Sequence, residues 1–218
     1  KTEKPHLKRI LLLIILLLTL AVTLSAVFIT QRSTSMPVPA FLEQFLNDPY
    51  DYSRLGLYKT HNEEYDHYYC TPVDMYVFAR TGADGMHFGV IPDTFGETVF
   101  AVTPDAFGEQ QVYPVAKNLP DFLALVCTFG DSTAVEEAPR MTRERFETWL
   151  TAEPEEEWIR EYRNSEAGRQ AQAEREAAAA HLRETYHLPE IADPYGYIRA
   201  ISDNFDPPTL HYPAEYYE

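Results

Sequence analysis

The chain is 218 residues long, 45% hydrophobic and 13% aromatic, with 34 acidic residues against 18 basic ones. Five of the bases and one of the acids lie in residues 1–32, so residues 33–218 carry a formal charge of −20. So acidic a surface excludes nucleic acid as a direct ligand, because phosphate neutralisation needs a basic face, and two cysteines are too few for a disulfide framework.

Residues 1–9 form a basic stub, with Lys1, Lys4, Lys8 and Arg9 against Glu3. Residues 10–31 then read ILLLIILLLTLAVTLSAVFITQ, without one ionisable side chain. The apolar stretch Ile10 to Ile29 makes about 30 Å of helix, the thickness of a bilayer core. A single transmembrane helix is expected, with the basic flank in the cytoplasm and the acidic domain outside it. The rival is a cleaved signal peptide, whose apolar region is normally shorter and ends in small residues at the cleavage positions. Residues 32–39 read as a linker, and 40–218 as an α+β domain with a helical C-terminal extension over about 142–188.

Pro39 opens a short amphipathic helix in which Phe41, Leu42, Phe45 and Leu46 share a side, and Asn47-Asp48-Pro49 stops it. The stretch from Tyr50 to Tyr69 holds six tyrosines without a clean period and reads as irregular. Thr71-Pro72-Val73-Asp74 has the cap residue, first-turn proline and early acid of a helix expected to run to Ala79. Thr81-Gly82-Ala83-Asp84-Gly85 breaks it. Three strand-like runs follow, Met86 to Ile91, Glu97 to Thr103 and Gln110 to Ala116, and their short turns predict an antiparallel meander. Asn118-Leu119-Pro120-Asp121 caps a helix ending near Gly130 whose stripe of Leu119, Phe122, Leu123, Val126 and Cys127 buries the thiol. A helix from Thr142 carries Phe146, Trp149 and Leu150. Glu155 to His187, rich in Ala, Glu, Arg and Gln, reads as one long solvated helix. The aromatic, proline-rich tail from Asp193 is expected to fold back on the domain.

Few residues cluster in a way that carries chemistry. His61-Asn62-Glu63-Glu64-Tyr65-Asp66-His67 gathers metal-ligand types, but two histidines six apart do not share a helical face, so it reads as a polar surface loop and no metal is assigned. Asp84 and His87 could be a base and its orienter; Asp-Gly is a turn signal in its own right, and His87 reads as the outward residue of a strand. No serine lies in a nucleophile elbow, and a buried Cys127 is a poor nucleophile. No catalytic residue, cofactor or glycine-rich phosphate loop is assigned. Tyrosine offers large contact area with few rotors, so Tyr65, Tyr68 and Tyr69, with Glu63, Glu64 and Asp66 as steering acids, are the candidate binding residues. Core packing competes as the explanation of those tyrosines.

The run Thr81-Gly82-Ala83-Asp84-Gly85-Met86-His87-Phe88-Gly89, then Val99-Phe100-Ala101-Val102-Thr103-Pro104, then Tyr113-Pro114-Val115-Ala116-Lys117-Asn118-Leu119-Pro120-Asp121-Phe122-Leu123 resembles the SUKH superfamily of fungal cell-wall-synthesis regulators and bacterial toxin-immunity proteins. Asp193-Pro194-Tyr195-Gly196-Tyr197 extends the likeness. It implies a central antiparallel sheet flanked by helices, a protein-binding role without catalysis, and structural duties for Gly82, Asp84, Gly85, Phe88, Asn118 and Phe122. An N-terminal membrane helix departs from that family's domain.

Two functions follow as expectations. The first is a membrane-anchored, non-catalytic module that binds a basic protein in an immunity or regulatory role. The second is an exported hydrolase using paired carboxylates or the His/Glu/Asp cluster.

Overall fold

The computed structural model describes residues 39–106, 109–154, 156–206 and 210–212. The stub, the expected transmembrane helix and the linker up to residue 38 lie outside the described residues. Among those that are described, no helix is long and apolar enough to cross a membrane.

Helix α1 (Ala40–Asn47) buries Leu42, Phe45 and Leu46, the side expected from their spacing. An irregular stretch follows, holding short 3-10 turns at Ser53–Leu55 and Glu64–Asp66. Five strands then form one antiparallel sheet in chain order: β1 (Tyr58–Lys59), β2 (Tyr76–Arg80), β3 (His87–Val90), β4 (Val99–Val102) and β5 (Val112–Ala116). A single turn, α2 (Pro92–Phe95), joins β3 to β4. The remaining helices are α3 (Leu119–Phe129), α4 (Ser132–Glu137), α5 (Arg143–Thr151), α6 (Glu157–Asn164), α7 (Glu166–Tyr186) and α8 (Pro194–Ser202).

Both faces of the sheet are covered. On one face Phe78, Phe88, Val90, Val99, Ala101 and Val115 pack under α1, α3, α4 and α7. On the other, Val77, Phe100, Val102 and Val112 meet Cys70, Met75 and Leu210, with Tyr69, Phe205 and Tyr212 against them. The loop from 61 to 75, with Phe205 and residues 210–212, therefore roofs the second face, and the N–H of Val73 donates to the carbonyl of His211 (2.9 Å). Phe122, fully buried, ties α3 to the sheet through ring contacts with Phe88 (4.7 Å) and Phe78 (5.7 Å). Asn118 caps α3, its side chain accepting from the N–H of Asp121, and Gly130 closes it in the left-handed region.

The helix expected over Thr71 to Ala79 is corrected. Pro72 to Met75 make a single turn, and Tyr76–Arg80 is a strand paired on both sides. The cap-like Thr-Pro-x-Asp serves a turn equally well, and Tyr76-Val77-Phe78 is a β-favouring run. The single helix expected over Glu155 to His187 is also corrected. Ser165 is extended, and its side chain accepts from the N–H of Gly168, so it ends α6 and caps α7.

Cys70 and Cys127 are free thiols in the cores of opposite sheet faces, so they cannot bridge. Burial pushes each up to about 11. Neither should react with iodoacetamide until the protein is denatured, when both should; modification of either at the native rate of an exposed thiol would contradict the packing.

Candidate functional site

The candidate site lies at the end of the β2–β3 hairpin, where the 61–71 loop passes it. The turn is closed by N–H donation from Thr81 to Met86 (3.0 Å) and from Met86 to Ala83 (3.1 Å). Gly82, Asp84 and Gly85 all take positive φ, at +86°, +50° and +71°. Glycine is needed at two of these places for contact as well as conformation. A Cβ on Gly82 would lie 2.5 Å from the ring of Tyr58, and one on Gly85 would lie 2.5 Å from the ring of Tyr68.

Two tyrosines thus lie against the turn backbone, and a third covers its neighbour. The Arg80 guanidinium sits 5.2 Å from the centroid of Tyr65, a cation–π distance. Tyr58, Tyr65 and Tyr68 remain 46%, 66% and 37% exposed. Between Tyr68, Arg80 and residues Gly82 to Met86 is a shallow pocket of about 160 Å³. That is below the roughly 300–1,000 Å³ of small-molecule sites, and it matches a single inserted side chain better. Asp84 lines it and is exposed, and Glu63 and Glu64 are exposed on the passing loop.

The structure brings together some of the expected binding residues and removes others. Tyr65, Tyr68, Glu63 and Glu64 belong to this surface. Asp66 does not: it is fully buried, with Oδ1 3.1 Å from Arg80 Nε, and Oδ2 accepting from the Thr60 hydroxyl and from the N–H of Glu63 (3.0 Å). Its charge is spent holding the loop and Arg80, so it cannot steer a partner. Tyr69 is half-buried and turns to the second core, donating its hydroxyl to the carbonyl of Pro104 (2.7 Å). Tyr58 and Arg80 join this surface although the sequence does not single them out. Arg80 directly precedes the Thr81-Gly82 turn, and that position at a strand end is the only sequence signal for it.

The His61 to His67 cluster does not converge. His61 is exposed, whereas His67 Nε2 donates to Asn62 Oδ1 (2.9 Å) and burial lowers its pKa. Asn62 Oδ1 also accepts from the N–H of Val77 (2.8 Å), so this side chain fixes the loop to β2. Among the described residues, no group of three or more His, Cys, Asp or Glu is arranged to hold a metal ion.

The expectation that His87 faces outward is corrected, because the second sheet face is roofed. His87 is fully buried, and Asp84 is exposed and does not orient it. Its Nδ1 donates to the carbonyl of Gly85 (2.7 Å), its Nε2 accepts from the Thr71 hydroxyl (3.0 Å), and its ring stacks on Tyr68 at 5.6 Å. Burial pulls its pKa down to about 4, so it is neutral at pH 7.

One other buried acid stands out. Glu136 on α4 is 1% exposed, and burial pushes it up to about 7 despite the Thr103 hydroxyl and Arg140 Nη2 (2.9 Å) on its Oε1. No protein-family model, curated protein or solved structure matches the chain.

Proposed function

We propose that the chain is a non-catalytic protein-binding module that docks a basic protein on the surface formed by Tyr58, Tyr65, Tyr68 and Arg80. The observation that carries this reading is that two exposed tyrosines, from two separate segments, lie on one glycine turn and a third lies against Arg80, which leads into it. Tyrosines already packed on backbone or under an arginine lose little side-chain freedom on docking, which favours them as anchors. Glu63, Glu64 and Asp84 supply the local charge, and the −20 of residues 33–218 the long-range field, that would attract a basic partner.

The SUKH resemblance supports the same class of role, immunity or regulation. The apolar run at 10–31 supports a single-pass anchor that holds the domain outside the cytoplasm. The hydrolase alternative draws no support from the His61 to His67 segment, in which His67 is held by Asn62 and Asp66 by Arg80 and Thr60, while His61, Glu63 and Glu64 face solvent without converging.

The two kinds of residue should separate kinetically. With the partner in hand, Glu63→Gln, Glu64→Gln and Asp84→Asn together should slow association about tenfold at low salt and flatten its salt dependence. Tyr65→Ala with Tyr68→Ala should leave association near its wild-type rate and speed dissociation about 30-fold or more. Binding unchanged by both sets would place the interface elsewhere.

A further inference from the structure

We propose that His87 is the positioning residue that pins the two walls of the docking pocket together, and that its protonation in acid releases them. This rests on the patch being the docking surface. One wall is Tyr68 and the other is the Gly82 to Met86 turn. Behind both lies His87, and its two ring nitrogens point to different walls.

The hydrogen bonds run in one direction. The N–H of Tyr68 donates to Thr71 Oγ1 (2.8 Å), the Thr71 hydroxyl donates its own proton to His87 Nε2, and His87 Nδ1–H donates to the carbonyl of Gly85. The N–H of Thr71 returns to the carbonyl of Tyr68 (2.9 Å) and closes that side. This pattern fixes one neutral tautomer and satisfies every polar atom of the ring. A proton added at Nε2 confronts the hydroxyl proton of Thr71. The hydroxyl must then turn away and leave its proton without His87 as acceptor, and a charged imidazolium would stand in a sealed site.

The charges facing His87 give the site a balanced response. The Gly85 carbonyl and, more weakly, Asp66 on the loop favour its protonated form, whereas His67 on the same loop and Arg80, its cross-strand neighbour on β2, disfavour it. Asp66 is committed to Arg80, so burial dominates and the ring stays neutral until the solution is well below pH 6. On the far side Val102 of β4 pairs with His87 and offers no charge. Protonation therefore has a local route of relief, which is to part the Tyr68 loop from the hairpin turn while the rest of the sheet stays paired.

Amide hydrogen exchange of the full chain, corrected for intrinsic rates, tests this without a partner. Between pH 7 and pH 4 the Tyr68, Thr71 and Met86 amides should lose protection about tenfold or more, while the amides of β4 and α3 keep theirs. His87→Phe, which keeps a ring against Tyr68 but neither hydrogen bond, should show the low protection at both pH values. Thr71→Val should do so in part. Protection at Tyr68 and Thr71 that is unchanged to pH 4, or that falls in step with β4 and α3, would overturn the pin. A local loss of protection with partner affinity unaltered would instead leave the pin standing and overturn the patch as the docking surface.

Discussion

Phe122→Ala should cost roughly 3–5 kcal/mol of folding free energy, the range for emptying an aromatic site in a close-packed core. Phe122 is the one α3 ring that touches two strands, meeting Phe88 of β3 and Phe78 of β2. Its neighbours on that face are themselves fully buried, which leaves little room for collapse into the space. Against a total stability of about 5–15 kcal/mol, the variant should unfold at a much lower urea concentration with an unchanged slope. Trp158→Ala is the contrast, since that side chain is 68% exposed and should change stability by about 0.5 kcal/mol or less. Equal midpoints for the two variants would mean that α3 does not pack on the sheet as described.

The second large effect concerns pH and has two opposing parts. Glu136 is held near 7 in the folded protein, above its ordinary 4.5. Between those values the unfolded chain gives up a proton that the folded chain retains, so this group makes stability fall as pH rises. His87 is held near 4, below its ordinary 6.5. Between those values the unfolded chain takes up a proton that the folded chain refuses, so this group makes stability fall as pH drops. Each contribution is on the order of 3 kcal/mol across its window.

From about pH 4.5 to 6.5 the two slopes oppose each other, and the wild-type protein should show little net dependence from this pair. Single variants should unmask them. In Glu136→Gln, stability should rise with pH over that interval, and the variant should gain on wild type up to about pH 7. In His87→Phe, stability should fall as pH rises over the same interval, whatever the absolute cost of the substitution. Urea titrations of the three proteins at half-unit steps from pH 4.5 to 8 measure this; parallel curves would contradict the burial of both groups.

Much of the framework was legible in the residues. The meander of β3, β4 and β5 followed from β-branched and aromatic runs separated by Pro-Asp and Gly turns, and α3 from its Asn118 cap and apolar stripe. These features are local, so a short window contains them. What stayed illegible was non-local. Tyr76 to Arg80 became a strand because β1 and β3 pair with it on either side, whereas Thr71 to Asp74 has the chemistry of a helix start. His87 looked outward because alternation marks in and out only when one sheet face is wet, and here the 61–75 loop, Phe205 and residues 210–212 cover the second face.

The same limit applied to the site. Glu63, Glu64, Tyr65 and Tyr68 were visible as an acidic, aromatic stretch. Nothing local separates them from Asp66, whose burial depends on Arg80 arriving from β2. Tyr58 joined the patch through Gly82, a contact between segments far apart in the chain. Composition identified the kind of surface, and tertiary contacts selected its members.

Site-specific photo-crosslinking in the cells that produce the protein tests the docking patch most directly. A benzophenone amino acid would replace Tyr65 in one variant and Trp158, the most exposed large aromatic of the helical extension, in another. A discrete adduct with a basic protein from position 65, weakened by Glu63→Gln and Glu64→Gln and absent from position 158, is the predicted result. The same adduct from position 158 with none from position 65 would contradict the account.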